Sequence, residues 1–183
     1  MRTGEVFALT WKDVDFENRT IRVNKTVYCK IKDNKGRWFL GTTKTDGSSR
    51  IIYMSDTLYK ILSKFKEYKN INRKLYKSKY KYYYLEKVKN KYGKLIEYKI
   101  IEGKNKNNKV EMIFVKKDGT YVRTDITKYP YQIIHNELKF SCRLYDLRGS
   151  FATISLRNGC EIKDIAEVLG HKNNRNNWRI LYF

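Results

Sequence analysis

The 183-residue chain, 41% hydrophobic, holds enough apolar material for one packed domain and too little for two. Forty Lys and Arg against nineteen Asp and Glu leave a net charge of +21, which points to a polyanionic partner and above all to nucleic acid. No apolar run reaches the roughly 18 to 20 residues of a spanning helix, and no signal peptide opens the chain, so no membrane anchoring and a cytoplasmic location are expected. Cys29, Cys142 and Cys160 are odd in number and lack C-x-x-C spacing. They do not make a disulfide framework and are expected to be reduced, buried, small apolar residues.

In chain order, Gly4 to Lys12 reads as a short helix with Glu5 in its first turn. From Thr20 the pattern alternates through Ile21, Val23 and Val27, then breaks at Asp33-Asn34-Lys35-Gly36. Trp38-Phe39-Leu40 begins a second strand ending near Lys44, and after the Asp46-Gly47 turn Arg50 to Met54 forms a third. One three-stranded antiparallel sheet is predicted. Ser55 is an N-cap for a helix of about fifteen residues carrying Leu58, Ile61, Leu62 and Phe65. Tyr68 to Lys109 interleaves lysine and tyrosine with weak periodicity. It supplies either phosphate contacts with stacking on bases or a solvated insertion.

Met112 to Val115 reads as a short strand followed by a turn at Lys117-Asp118-Gly119. Thr124 to Leu138 is helical in outline, with Pro130 expected to break or kink it. Two further helices, Leu147 to Asn158 and Ile162 to Leu169, are separated by Gly159 as a helix-ending residue. The first is expected to turn Leu147, Phe151 and Leu156 to the core.

Four motifs carry chemistry: Arg2-Thr3-Gly4-Glu5; Thr43-Lys44-Thr45 running on to Arg50; Asp146-Leu147-Arg148 followed by Phe151-Ala152-Thr153; and Leu169-Gly170-His171. Metal-free cleavage of a phosphodiester needs donors around the non-bridging oxygens, a nucleophile, and an acid for the leaving oxygen. An arginine fork at a helix start can take two phosphate oxygens, and a lysine on a turn can deliver a proton.

Together these motifs resemble the tyrosine recombinase (phage integrase) family over Arg2 to about His171. The resemblance implies an α+β catalytic domain, mainly helical, with a small three-stranded antiparallel sheet near the N-terminus. It implies a single catalytic domain over 1–183 with a Lys/Tyr-rich insertion at 69–110, and the N-terminal core-binding domain of a complete family member is expected to be absent. Arg2 would hold the scissile phosphate with help from Glu5, Lys44 would protonate the leaving 5′ oxygen, and Arg148 and His171 would stabilise the transition state. Tyr145 stands where the family most often has histidine. A phenol with a pKa of about 10 donates a hydrogen bond but accepts protons poorly near neutrality, and core packing is the other reading of this residue.

The family's nucleophilic tyrosine lies nine or ten residues after the histidine. Here Tyr182 lies 11 on (182 − 171), in an unusual context. If A/T-rich codons chosen for this stretch are read with one base removed after the Asn173 codon, they yield Ile-Glu-Thr-Thr-Gly-Glu-Tyr-Tyr-Ile, which restores the family pattern; on that supposition a frameshift at the end of the chain is expected, and Met1 is expected to be an internal start. The activity implied is integration or excision of a mobile element on double-stranded DNA, by a tetramer, without cofactors. The alternatives are a DNA-binding remnant of an integrase and a basic RNA-binding protein.

Overall fold

The computed structural model describes residues 1–32, 35–42, 49–103, 108–122 and 124–170. The chain starts with α1, Thr3–Phe7, whose N-terminus is closed by the Glu5 carboxylate accepting from the Arg2 backbone N–H at 2.8 Å. This helix stops at Phe7 instead of running to Lys12. Thr10 bridges to Met112, and Asp13 accepts from both the backbone N–H (2.8 Å) and the hydroxyl (2.6 Å) of Thr10. Such local side-chain bonds draw the backbone out of a helix.

Two antiparallel sheets follow where one was predicted. The first, in the order β1-β2-β5, consists of β1 (Val14–Asp15), β2 (Thr20–Val23) and β5 (Arg50–Tyr53). The second, in the order β3-β4-β7-β6-β8, consists of β3 (Lys25–Lys32), β4 (Lys35–Thr42), β6 (Tyr83–Lys89), β7 (Leu95–Glu102) and β8 (Lys109–Val110). The single strand predicted from Thr20 serves both. Before Asn24, Ile21 and Val23 enter one core with Leu9, Val14, Met54, Leu62 and Ile113; after it, Val27 enters another with Phe7, Ala8, Leu40, Val110, Met112 and Tyr121. Phe114 packs against both clusters. The unassigned Lys/Tyr-rich stretch contributes three of the strands, so the fold is mixed α and β and less helical than expected. The predicted turn residues Asp33, Asn34, Asp46 and Gly47 lie outside the described residues.

Helix α2, Asp56–Tyr76, is capped by the Ser55 hydroxyl, which accepts from the Leu58 N–H at 3.2 Å. It runs 21 residues, beyond the fifteen expected, because its second half is fastened to the sheet. Glu111, next to β8, takes Lys109 at 2.7 Å together with Lys69 at 3.3 Å and Arg73 at 3.1 Å from α2. Burial favours the neutral acid, but the Lys109 hydrogen bond and the charges of Lys69 and Arg73 outweigh it and hold Glu111 at about 2.

Beyond a 3₁₀ turn at Thr124–Thr127, α3 spans Lys128–Leu138. Pro130 is its third residue and neither breaks nor kinks it, since a helix leaves its first four N–H groups unpaired and the missing one falls among them. Helices α4 (Asp146–Arg157) and α5 (Ile162–Leu169) match the predicted pair. Gly159 has φ 83°, and the N–H groups of Gly159 and Cys160 return to the carbonyls of Leu156 and Ser155 at 3.0 Å each. The inward face of α4 differs from expectation: Ala152 and Leu156 pack on Ile165 and Leu169, Arg148 is buried beside them, and Leu147 and Phe151 are exposed. The three cysteines are free, as expected, but not buried. Cys29, on β3, and Cys160, just past the α4 cap, are exposed, and Cys142 is partly so. Among the described residues no helix is long and apolar enough to cross a membrane.

Candidate phosphate-binding site

Arg148 is the centre of the site, in the first turn of α4, with its backbone N–H on the Tyr145 carbonyl at 3.0 Å. It is only 4% exposed, yet among the described residues no carboxylate lies within salt-bridge distance of it. Its Nη2 donates to the Leu169 carbonyl at 2.6 Å, at the end of α5, while Nε and Nη1 are buried without a hydrogen-bond partner. Asp146, two residues earlier, is turned to Arg143 at 3.0 Å. Burial lowers the pKa of Arg148 most and the positive charge of Arg2 lowers it further, with Glu5 opposing. A buried cation with unfilled donors costs several kcal/mol unless an anion completes it.

Space for an anion lies on both sides of it. Arg148 lines a cleft of about 690 Å³ together with Tyr145, Gly149, Ser150 and Thr153 at the start of α4, where the helix dipole favours negative charge. It also lines an apolar cleft of about 450 Å³ with Met1, Val6, Leu147, Phe151 and Val168.

A second arginine, unassigned by the sequence, aligns the parts. Arg50 on β5 is 7% exposed and donates through Nη2 to Glu5 Oε2 at 2.8 Å, and through Nε to the Val168 carbonyl at 2.6 Å. Glu5 also accepts from Arg2 Nη1 at 2.9 Å. Burial would raise the Glu5 pKa, but the hydrogen bonds of Arg50 and of the Arg2 backbone outweigh it and hold the carboxyl at about 2. So α1, β5 and the end of α5 are pinned at one point, with Arg148 fastened one residue further along α5. Gly170 caps α5 at φ 71°, a conformation that favours glycine, and a Cβ there would lie 2.9 Å from Arg50 Nη1 and push that side chain aside.

Of the predicted site residues, the structure places Arg2 and Arg148 within electrostatic reach of each other. Arg2 is half exposed at the start of α1, with its guanidinium on Glu5. Tyr145 is 54% exposed at the mouth of the larger cleft, which excludes the core-packing reading. Lys44, His171 and Tyr182 lie outside the described residues. Arg50 was missed because only its distant partners, Glu5 and Val168, reveal its role. The available signal was its place at the end of the Thr43-Lys44-Thr45 motif. Among the described residues no group of three or more His, Cys, Asp or Glu is placed to hold a metal ion.

The sequence profile of the phage integrase family matches residues 1–179. The integrase of Staphylococcus phage L54a is 45% identical over 64 residues, 35% of this chain and 18% of that protein. A XerC-like tyrosine recombinase of Caldanaerobacter subterraneus subsp. tengcongensis is 27% identical over 181 residues, covering 94% of this chain and 40% of that protein. Among solved structures, the Tn1549 transposon integrase in complex with circular intermediate DNA superposes with a TM-score of 0.66 at 17% identity, over all of this chain and 51% of the other. XerA recombinase gives a TM-score of 0.59 at 18% identity, over all of this chain and 48% of its own. The fold is shared with both, and the chain spans less than half the length of these two sequence relatives.

Proposed function

Because the chain belongs to the phage integrase family, we propose that it is the strand-exchanging part of a tyrosine recombinase, which cuts and rejoins double-stranded DNA at a specific site to integrate or excise a mobile element. The observation that carries this reading is the buried Arg148 guanidinium, with Nε and Nη1 unfilled beside the N-terminus of α4. Such a group is stable in company with an anion, and duplex DNA offers the phosphate that the net charge of +21 calls for.

The proposed chemistry follows from the residue types. The hydroxyl oxygen of Tyr182 attacks phosphorus and gives up its proton to water, the bond to the 5′ oxygen breaks, and Lys44 protonates that leaving oxygen. A 3′-phosphotyrosyl bond and a free 5′ hydroxyl result. Arg2, Arg148 and His171 face the non-bridging oxygens, where charge builds in the transition state. Tyr145 adds a hydrogen-bond donor at the cleft mouth. Bond energy stays in the covalent link, so rejoining by a second 5′ hydroxyl needs neither ATP nor a cofactor. Strand exchange between two duplexes would engage four copies, in the cytoplasm.

A nicked suicide duplex tests the reading. A denaturation-resistant protein–DNA adduct should form and vanish in Tyr182→Phe. Tight, salt-sensitive duplex binding without an adduct would assign the chain to DNA binding alone. Preference for single-stranded RNA over duplex DNA would overturn the proposal.

A further inference from the structure

Strands β6 and β7 pair from Tyr83↔Glu102 to Lys89↔Leu95. Among the described residues their neighbours pair with them only near the root: β4 joins β7 at Phe39↔Lys99 and Leu40↔Tyr98, and β8 joins β6 at Tyr83 and Tyr84. Past these pairs, among the described residues, the two strands run on as a ribbon, hydrogen-bonded to each other and to no third strand. The ribbon is closed by a tight turn in which the Gly93 N–H donates to the Asn90 carbonyl at 3.0 Å and the Asn90 N–H to the Lys94 carbonyl at 2.9 Å. Gly93 has φ 76°, and the Asn90 side-chain oxygen accepts from the N–H groups of Tyr92 and Lys94 at 2.9 Å each. These bonds make a type I turn with a glycine bulge, a rigid hairpin end.

The charge on this ribbon is one-sided. Residues 87–96 contain Lys87, Lys89, Lys91 and Lys94 and no carboxylate. At the root, by contrast, lysines are paired, Lys99 with Glu86 at 3.6 Å and Lys81 with Glu102 at 3.3 Å. At the tip the Lys91 ammonium sits 4.9 Å above the Tyr92 ring, and Tyr92 is 80% exposed. Continuing the β4–β7 register puts Thr42 level with Ile96, so the ribbon leaves the sheet at the end where β4 leads into the segment carrying Lys44. Thr42 also pairs with Lys25, and the next residues of β3, Thr26 and Val27, are those that α1 packs on at Gly4. The free ribbon and the start of α1, with Arg2, therefore share one end of the sheet.

We propose that the β6–β7 ribbon is a second DNA contact, which lies along the duplex flanking the cleaved phosphate and sets its lysines on the backbone. This deepens the recombinase reading and rests on it. A two-stranded ribbon fits the roughly 12 Å major groove, and lysine ammoniums serve as point charges for phosphates. The closed turn means that little order is lost on binding.

The test compares the full chain with its Lys87→Gln/Lys89→Gln/Lys91→Gln/Lys94→Gln variant on one duplex across a salt series, with thermal midpoints as a folding control. These side chains are exposed, so the midpoints should agree. Each phosphate contact contributes about 0.9 to the slope of log affinity against log salt, so the variant's slope should be shallower by about 2 to 4. Hydroxyl-radical protection should be lost on the flank and kept at the cleavage position. Equal slopes and footprints for the two proteins would overturn the ribbon contact alone. So would a variant altered only in self-association, which would assign the ribbon to a protein contact. A wild-type chain that binds no duplex would overturn the recombinase reading and this proposal together.

Discussion

Replacing Arg50 with methionine is expected to lower the unfolding free energy by about 3 kcal/mol, the low end of the cost of breaking a buried ion pair, because Arg2 still holds Glu5. Glu5 is 2% exposed and Arg50 7%, so neither charge can turn to water, and the Val168 carbonyl loses its donor as well. For a domain of this size the loss corresponds to a fall in thermal midpoint of roughly 10 °C. Glu5→Gln should cost nearly as much, and the double variant less than the sum, with a coupling of about 1–3 kcal/mol in a thermodynamic cycle. Additive losses would show that the two side chains act separately. Because Arg50 also holds the end of α5 next to Leu169, the carbonyl that Arg148 uses, the same variant should slow adduct formation even under conditions where it is fully folded.

Acid should act through the same residue. The folded-state pKa of Glu5, about 2, lies below its ordinary 4.5, so its contribution, about 3 kcal/mol, is complete above pH 4.5 and is lost as the pH falls toward 2. Glu111 behaves alike, since three cations surround it. Stability measured by denaturant titration should therefore be level above about pH 5 and fall steeply below. Glu5→Gln should lie lower on the plateau and fall less steeply, leaving the share of Glu111 and of the other carboxylates held below their ordinary range, Glu97 among them. A Glu5→Gln curve parallel to wild type would contradict the assignment.

What could be read from the sequence was what local chemistry determines. Ser55 capped α2 and Gly159 ended α4 where expected, because each signal acts within a few residues. The division into two sheets was not legible: Ile21, Val23 and Val27 keep one alternation across Asn24, and only their distant partners assign them to different cores. Strands β6 and β7 were hidden because lysine and tyrosine occupy both faces, although Asn90-Lys91-Tyr92-Gly93 was a local turn signal that could have revealed them. In the candidate site, the motifs located Arg2, Tyr145 and Arg148. They did not reveal that Arg148 is buried while Leu147 and Phe151 are exposed, since a helical pattern read by residue type sends the apolar faces inward. Arg50 stood in plain view at the end of a motif, but its role depends on Glu5, 45 residues away, and on Val168, 118 away.

Arg148→Met should have the opposite signature to Arg50→Met. Arg50 is a buried cation with a carboxylate in contact; Arg148 is a buried cation with one carbonyl, two unfilled nitrogens, and other arginines near it. Methionine at position 148 removes that desolvated charge and keeps most of the volume, at the cost of the bond to the Leu169 carbonyl. Stability should stay level or rise by up to about 2 kcal/mol. Adduct formation on a nicked duplex should fall at least about 10²- to 10³-fold, the loss expected when a donor to the transition-state oxygens is removed. Inorganic phosphate or sulfate should raise the thermal midpoint of the wild type and have less effect on the variant, because an anion that binds only the folded state stabilises it in proportion to occupancy. A large loss of stability in Arg148→Met would make the residue structural, and equal anion responses would remove the phosphate from its role. A more stable protein that no longer forms the adduct would identify Arg148 as a charge the fold tolerates for the sake of the phosphate it binds.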